Sequence, residues 1–143
     1  MDTSPSCTFS NPVAELRADA NGVAHLVWQL GPRPLADFQA ALNALLHLLL
    51  QLRTGKLLVD QAEMLALSPA EQNWVRMYWL PQAIARGHYR YVAVLPTRDP
   101  VARMASAAVG APATADAPRQ ELFETPAAAL LWLQRQVVIE SRL

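Results

Sequence analysis

Residues 56–95 read KLLVDQAEMLALSPAEQNWVRMYWLPQAIARGHYRYVAVL, and the fold turns on how they are parsed. Lys56 to Asp60 and Tyr89 to Leu95 are near-continuous apolar runs, the pattern of parallel strands covered on both faces. The 28 residues between them leave room for the helical crossover that parallel pairing requires. The crossover helix starts at Ser68-Pro69-Ala70-Glu71, a capping box with proline at the first helical position. Ser68 accepts from a free backbone N–H, Pro69 sits where no N–H is needed, and Glu71 reaches back. At about 100° per residue, Trp74, Met77, Tyr78, Pro81, Ile84 and Ala85 share one face and are expected in the core. Pro81 lies inside the helical pattern and predicts a kink between Met77 and Pro81. The whole stretch is read as a βαβ unit.

Working outward toward the N-terminus, Val13 to Ala18 and Val23 to Trp28 flank Asn21-Gly22, a dipeptide suited to the positive φ of a tight hairpin. Residues 1–12 carry Pro5, Ser6, Ser10 and Pro12 and read as a flexible polar arm. Gly31-Pro32-Arg33-Pro34 ends the second strand, and a helix is expected from Leu35 to Arg53, with Gly55 as its left-handed stop. Toward the C-terminus, Val101 to Ala108 reads as a short helix, 110–118 as a mobile loop of small residues, and Gln120 to Phe123 as a last strand. Thr125-Pro126 caps a final helix with Leu130, Leu133 and Val137 on its apolar face and Trp132 beside it. The expectation is a single α/β domain over 13–138, followed by a tail at 139–143. It is built as an N-terminal β-hairpin and then βα units, giving a mixed four- to five-stranded sheet flanked by helices.

Composition narrows the function. The chain of 143 residues balances 12 Lys plus Arg against 12 Asp plus Glu, so no net field steers it toward nucleic acid. The first residues have neither a basic nor an apolar leader segment, and a cytoplasmic location is expected. The apolar stretch from Leu35 to Leu52 carries Asp37, Gln39, Asn43, His47 and Gln51, which argue for an amphipathic helix over a membrane span. Cys7 is the one cysteine, and His25, His47 and His88 have no metal-type spacing. With no glycine-rich phosphate loop or nucleophile elbow either, no metal and no cofactor is expected.

The order hairpin, helix, strand, helix, strand, helix, strand, helix resembles the SpoIIAA-like family, which includes the STAS (sulfate transporter and anti-sigma-factor antagonist) domains, and above all its bacterial stand-alone members. The resemblance is carried by Leu57-Leu58-Val59-Asp60, by Ser68 to Trp74, by Trp79-Leu80-Pro81-Gln82-Ala83, and by Leu122-Phe123-Glu124 before Ala128 to Leu133. It implies a SpoIIAA-like fold and a regulatory role. Anti-sigma antagonists of that family carry a phosphorylatable serine in an Asp-Ser-Ser/Thr-Gly motif. Here Gln61 to Leu67 separate Asp60 from Ser68 and the glycine is missing, so Ser68 reads as a helix cap before it reads as a phosphorylation site.

Ligands of open α/β sheets sit beyond the C-terminal ends of the parallel strands. Those ends offer Asp60, Ser68, Thr97, Arg98 and Thr125 as candidate ligand-binding residues. The functional expectation is a non-enzymatic binding or regulatory module that recognises a protein partner or a small ligand. The alternatives are a small-molecule or lipid carrier with an apolar pocket under the first two helices, and an enzyme using Asp60 with Arg98. The leucines of the first helix cover an arc of roughly 200°, wider than one core needs. Leu45, Leu48 and Leu52 therefore serve either a homodimer interface or burial beneath the flanking elements.

Overall fold

A computed structural model describes residues 6–97 and 118–136. Strands β1 (Ser6–Ser10), β2 (Ala14–Ala18) and β3 (Ala24–Trp28) lead into helix α1 (Leu35–Leu52) and strand β4 (Lys56–Asp60). A continuous helical rod comes next, made of α2 (Pro69–Trp74), a π-helical turn (Val75–Trp79) and α3 (Leu80–Ala85). Strand β5 (Tyr91–Leu95), strand β6 (Arg119–Leu122) and helix α4 (Pro126–Arg135) complete the described elements. The class is α/β with a mixed sheet. Its strands stand side by side in chain order, β1 to β6, with the first two pairings antiparallel and the last three parallel.

The sheet has six strands among the described residues, more than the four or five expected. The additional one is Ser6–Ser10, inside the segment read as a polar arm. Its breaker-rich neighbourhood is a structured turn: the Asn11 side chain accepts from the N–H groups of Val13 and Ala14, both at 3.0 Å, and donates to the Asp37 carbonyl of α1. Phe9 packs against the core from this edge strand. Pattern alone hides such a strand, because an exposed edge needs only one anchoring side chain.

Winding in one direction with crossovers of one hand puts successive helices on the same face. Accordingly α1 and the rod lie together against Leu57, Val59, Val92 and Val94, while α4 covers Leu58, Ala93 and Leu95 on the other face. Leu45 and Leu48 are buried in this chain's own core and Leu52 is packed partly against it. The wide leucine arc is thus covered within the chain, by the sheet on one side and α3 on the other. Gly87 lets these helices approach, since a Cβ there would meet Leu49 Cβ at 3.3 Å and the Ala83 carbonyl oxygen at 2.9 Å. Helix α1 is long and apolar enough by length and composition to cross a membrane, and here seven of its residues are buried in the core.

Two local expectations need correction. The left-handed residue ending α1 is Arg53, at φ 61°, and Gly55 at φ 68° does a different job. A Cβ on Gly55 would sit 1.9 Å from the His88 carbonyl oxygen, so glycine is what allows the α1–β4 turn to meet the segment entering β5. The inward face of the rod also differs. Met77 and Tyr78 are 65% and 60% exposed, and Pro81 and Ala85 point outward too, while Glu71, Trp79 and Ala83 are buried. Pro81 is the reason. It has no N–H for the Met77 carbonyl and its ring would crowd that oxygen, so the turn widens and Leu80 donates instead to Val75, five residues back. One extra residue in a turn rotates the rest of the rod by about 100°, which carries the inward position from Tyr78 to Trp79. The expectations for 98–117 and 137–143, including Arg98, the short helix, the loop at 110–118 and Val137, lie outside the described residues.

Candidate functional site

The polar residues at the C-terminal ends of the parallel strands are held by their own backbone. Asp60 Oδ1 accepts from Ala62 N–H at 3.0 Å, an Asx turn that starts the loop after β4. Thr97 is 1% exposed and its hydroxyl donates to the Met64 carbonyl at 2.9 Å, while Gln61 N–H reaches Leu95 O. Asp60 and Thr97 therefore belong to one loop cluster. Ser68 accepts from Glu71 N–H at 3.1 Å, and Glu71 Oε1 accepts from Ser68 N–H at 2.8 Å, completing the capping box. Thr125 caps α4, a helix that packs on the opposite face, by accepting from Ala128 N–H.

Sequence reasoning missed the ion pair beside Ser68. Arg33, placed by the proline-flanked loop after β3, forms a two-pronged pair with Glu71, Nε to Oε2 at 2.5 Å and Nη2 to Oε1 at 2.8 Å. The same guanidinium donates to the carbonyls of Ala66 and Leu65 and sits 5.9 Å over the Phe38 ring. Burial works against the Glu71 carboxylate, but the bonds from Arg33 and the Ser68 backbone outweigh it and hold its pKa below the ordinary value. The pair ties the β3–α1 loop, the β4–α2 loop and the start of α2 together. Its only signal in the sequence was an arginine between two prolines and a capping glutamate already assigned a role.

Under this clamp lies an open-sided cleft of about 120 Å³ between the sheet, α1 and the π-helical turn. Four aromatic rings shape it: Trp28 and Phe38 stack at 5.3 Å, and Trp79 meets Tyr89 edge to face at 5.7 Å. The Trp79 indole N–H is tied to the Leu42 carbonyl at 2.6 Å, which fixes its ring as a wall. Aliphatic side chains such as Leu45, Val59 and Leu67 fill in the rest, and among the described residues no charged one lines the cleft. Its polar members are Gln61 and Tyr89. Half-buried Gln61 lies one residue past β4. Buried Tyr89 stands toward the other end of the strands, two residues before β5. Burial pushes the Tyr89 phenol above its ordinary pKa, so it is a hydroxyl donor throughout the physiological range.

A second polar cluster occupies the N-terminal ends of the strands, on the α4 side. His25 Nε2 lies 2.8 Å from Asp19 Oδ2, and Asp19 Oδ1 accepts from the N–H groups of Asn21 and Val23. Lys56, the one lysine of the chain, is 6% exposed nearby. Among the described residues no three His, Cys, Asp or Glu side chains are grouped to hold a metal ion. Comparison with protein-family models, with curated proteins and with solved structures yields no match.

Proposed function

We propose that this chain is a non-enzymatic, ligand-responsive module of the SpoIIAA-like type, whose ligand is a small apolar molecule held in the cleft beneath α1 and the π-helical turn. The observation that carries this reading is the cleft itself: an open-sided, aromatic-walled space against the larger core, bounded by the π-helical turn of the rod. A π-helical turn in a helix wall is frequently found at a functional site. An apolar cavity of roughly 150 Å³ accommodates a benzene-sized molecule, so the ligand portion held here is on the scale of one ring. Support for the SpoIIAA-like type comes from the chain-order sheet and from the hairpin, helix, strand, helix, strand sequence of elements up to β5. The enzymatic reading loses ground because Asp60 is engaged in a backbone turn.

Benzene and indole at millimolar concentration test the proposal. Both should raise the melting temperature, and benzene should shift the emission of Trp28 and Trp79, which wall the cleft. Leu67→Trp, which fills the rim, should remove both responses while remaining folded. Unchanged melting and unchanged emission in the wild type would remove the basis for a ligand site.

A further inference from the structure

The lining of the cleft carries a feature that a purely apolar ligand leaves unexplained. Tyr89 is 7% exposed, its N–H is pinned to the Ala83 carbonyl at 3.1 Å, and its ring is wedged against Trp79. Its hydroxyl nevertheless makes no hydrogen bond among the described residues, although the oxygen is not fully enclosed. A largely buried hydroxyl without a partner carries a desolvation cost of up to roughly 1–3 kcal/mol, which phenylalanine in the same place would avoid. Tyr89 lines the cleft, and a single donor in an apolar lining is how a binding site fixes orientation with one polar contact.

We infer that the cleft selects neutral ligands carrying a hydrogen-bond acceptor, a carbonyl or ether oxygen on an apolar body, with that oxygen directed at the Tyr89 hydroxyl. This rests on the reading of the cleft as a ligand site. Neutrality comes from the lining. Among the described residues no cation faces the cleft, so a carboxylate would enter unpaired and lose its hydration without return. The phenol matches the same selection, since burial keeps it protonated and therefore donating. Gln61, a lining residue whose side-chain amide also makes no hydrogen bond among the described residues, tolerates a second polar group on the ligand.

Three probes of similar size separate the possibilities: ethylbenzene, acetophenone and benzoate, titrated calorimetrically into the wild type and Tyr89→Phe. Acetophenone affinity should fall about three- to tenfold in Tyr89→Phe while ethylbenzene affinity holds or improves, the loss expected for one neutral hydrogen bond. Benzoate should bind neither protein measurably. Equal changes for ethylbenzene and acetophenone on mutation, or benzoate binding the wild type as well as acetophenone does, would overturn the inference and leave the cleft reading intact. Binding of none of the three would overturn both. Should Tyr89→Phe fold poorly, the acetophenone-bound wild type decides by its Tyr89 resonances: a perturbed hydroxyl environment supports the contact, and unperturbed resonances at saturation overturn it.

Discussion

The two faces of the sheet bury their side chains on different terms. The α1 face carries the large residues, among them Trp28, Phe38, Trp79 and Tyr89, and leaves a cleft between them. The α4 face is thin: Ala93 and Ala129 are fully buried, and with them Leu58, Leu95 and Leu133 form a small core. Bulk and density are therefore not the same thing. Rigid rings meet at fixed angles and leave corners, whereas alanine opposite alanine lets a helix settle against the strands. The faces also treat charge differently. At the rim of the α1 face Arg33 and Glu71 satisfy each other, while on the α4 side Lys56 is buried with no ion pair among the described residues.

If the α1 face is clamped at its rim by Arg33 and Glu71, removing one partner should have the largest effect on stability. Glu71→Ala leaves a guanidinium with 10% side-chain exposure unpaired and breaks the capping box, a loss of about 3–5 kcal/mol in urea unfolding. Replacing both partners by methionine should recover most of that loss. A cost for Glu71→Ala below about 1 kcal/mol would put the pair in the class of surface bridges and end the distinction between the faces. The acid limb gives the same test by titration. The folded pKa of Glu71 lies below its ordinary 4.5, so its contribution is present above that value and is lost as pH falls through the folded value. Glu71→Gln should therefore show a shallower decline in stability below about pH 4.5 than the wild type.

The difference in packing can be probed by adding methyl groups to each face. Ala93→Val enlarges a fully buried residue where α4 approaches the sheet, and overpacking there should cost about 1–3 kcal/mol. Val59→Ile adds a single methylene at the cleft wall, where there is room, and should be neutral or up to about 0.8 kcal/mol stabilising. Both changes place a β-branched residue in a strand, so strand propensity opposes neither of them. Equal penalties at the two sites would mean that the cleft is closed in solution.

Much of this contrast was legible in the sequence and some of it was not, for identifiable reasons. The apolar runs of β4 and β5, the hairpin and the capping box each depend on neighbours in the chain, and each was found where the pattern placed it. The inward face of the rod was misread because a wheel drawn at constant pitch cannot anticipate the residue that Pro81 adds to the turn. Strand β1 was missed because its pairing rests on β2 and on the side chain of Asn11, with only Phe9 to announce it. Of the candidate site, Asp60, Ser68, Thr97 and Thr125 were visible as polar residues at strand ends and helix starts, and the structure shows each of them bonded to nearby backbone. The cleft was anticipated only as an apolar pocket under two helices. Tyr89 and Gln61, its polar members, looked like a strand residue and a loop residue, because only tertiary structure brings them to one space.

Lys56 offers the finest test of how the faces treat charge. Burial lowers the pKa of its ammonium, and the attraction of Asp19 offsets this only in part, because both Asp19 oxygens already serve His25 and the hairpin backbone. That direction sets the sign of the pH dependence. With a folded pKa below the unfolded 10.5, the folded state binds the proton less well, so at neutral pH the charge is carried at a constant cost. As pH rises through the folded value toward 10.5, the folded state releases the proton first, stability climbs, and the cost is gone above 10.5. Lys56→Met keeps the apolar stem and discards the charge, so it should be more stable than wild type at neutral pH, by up to about 1 kcal/mol. The advantage should shrink to nothing as urea titrations approach pH 10.5. A Lys56→Met protein less stable than wild type at neutral pH would show that the ammonium has a compensating partner, and that the α4 face satisfies its charge as fully as the rim of the α1 face does.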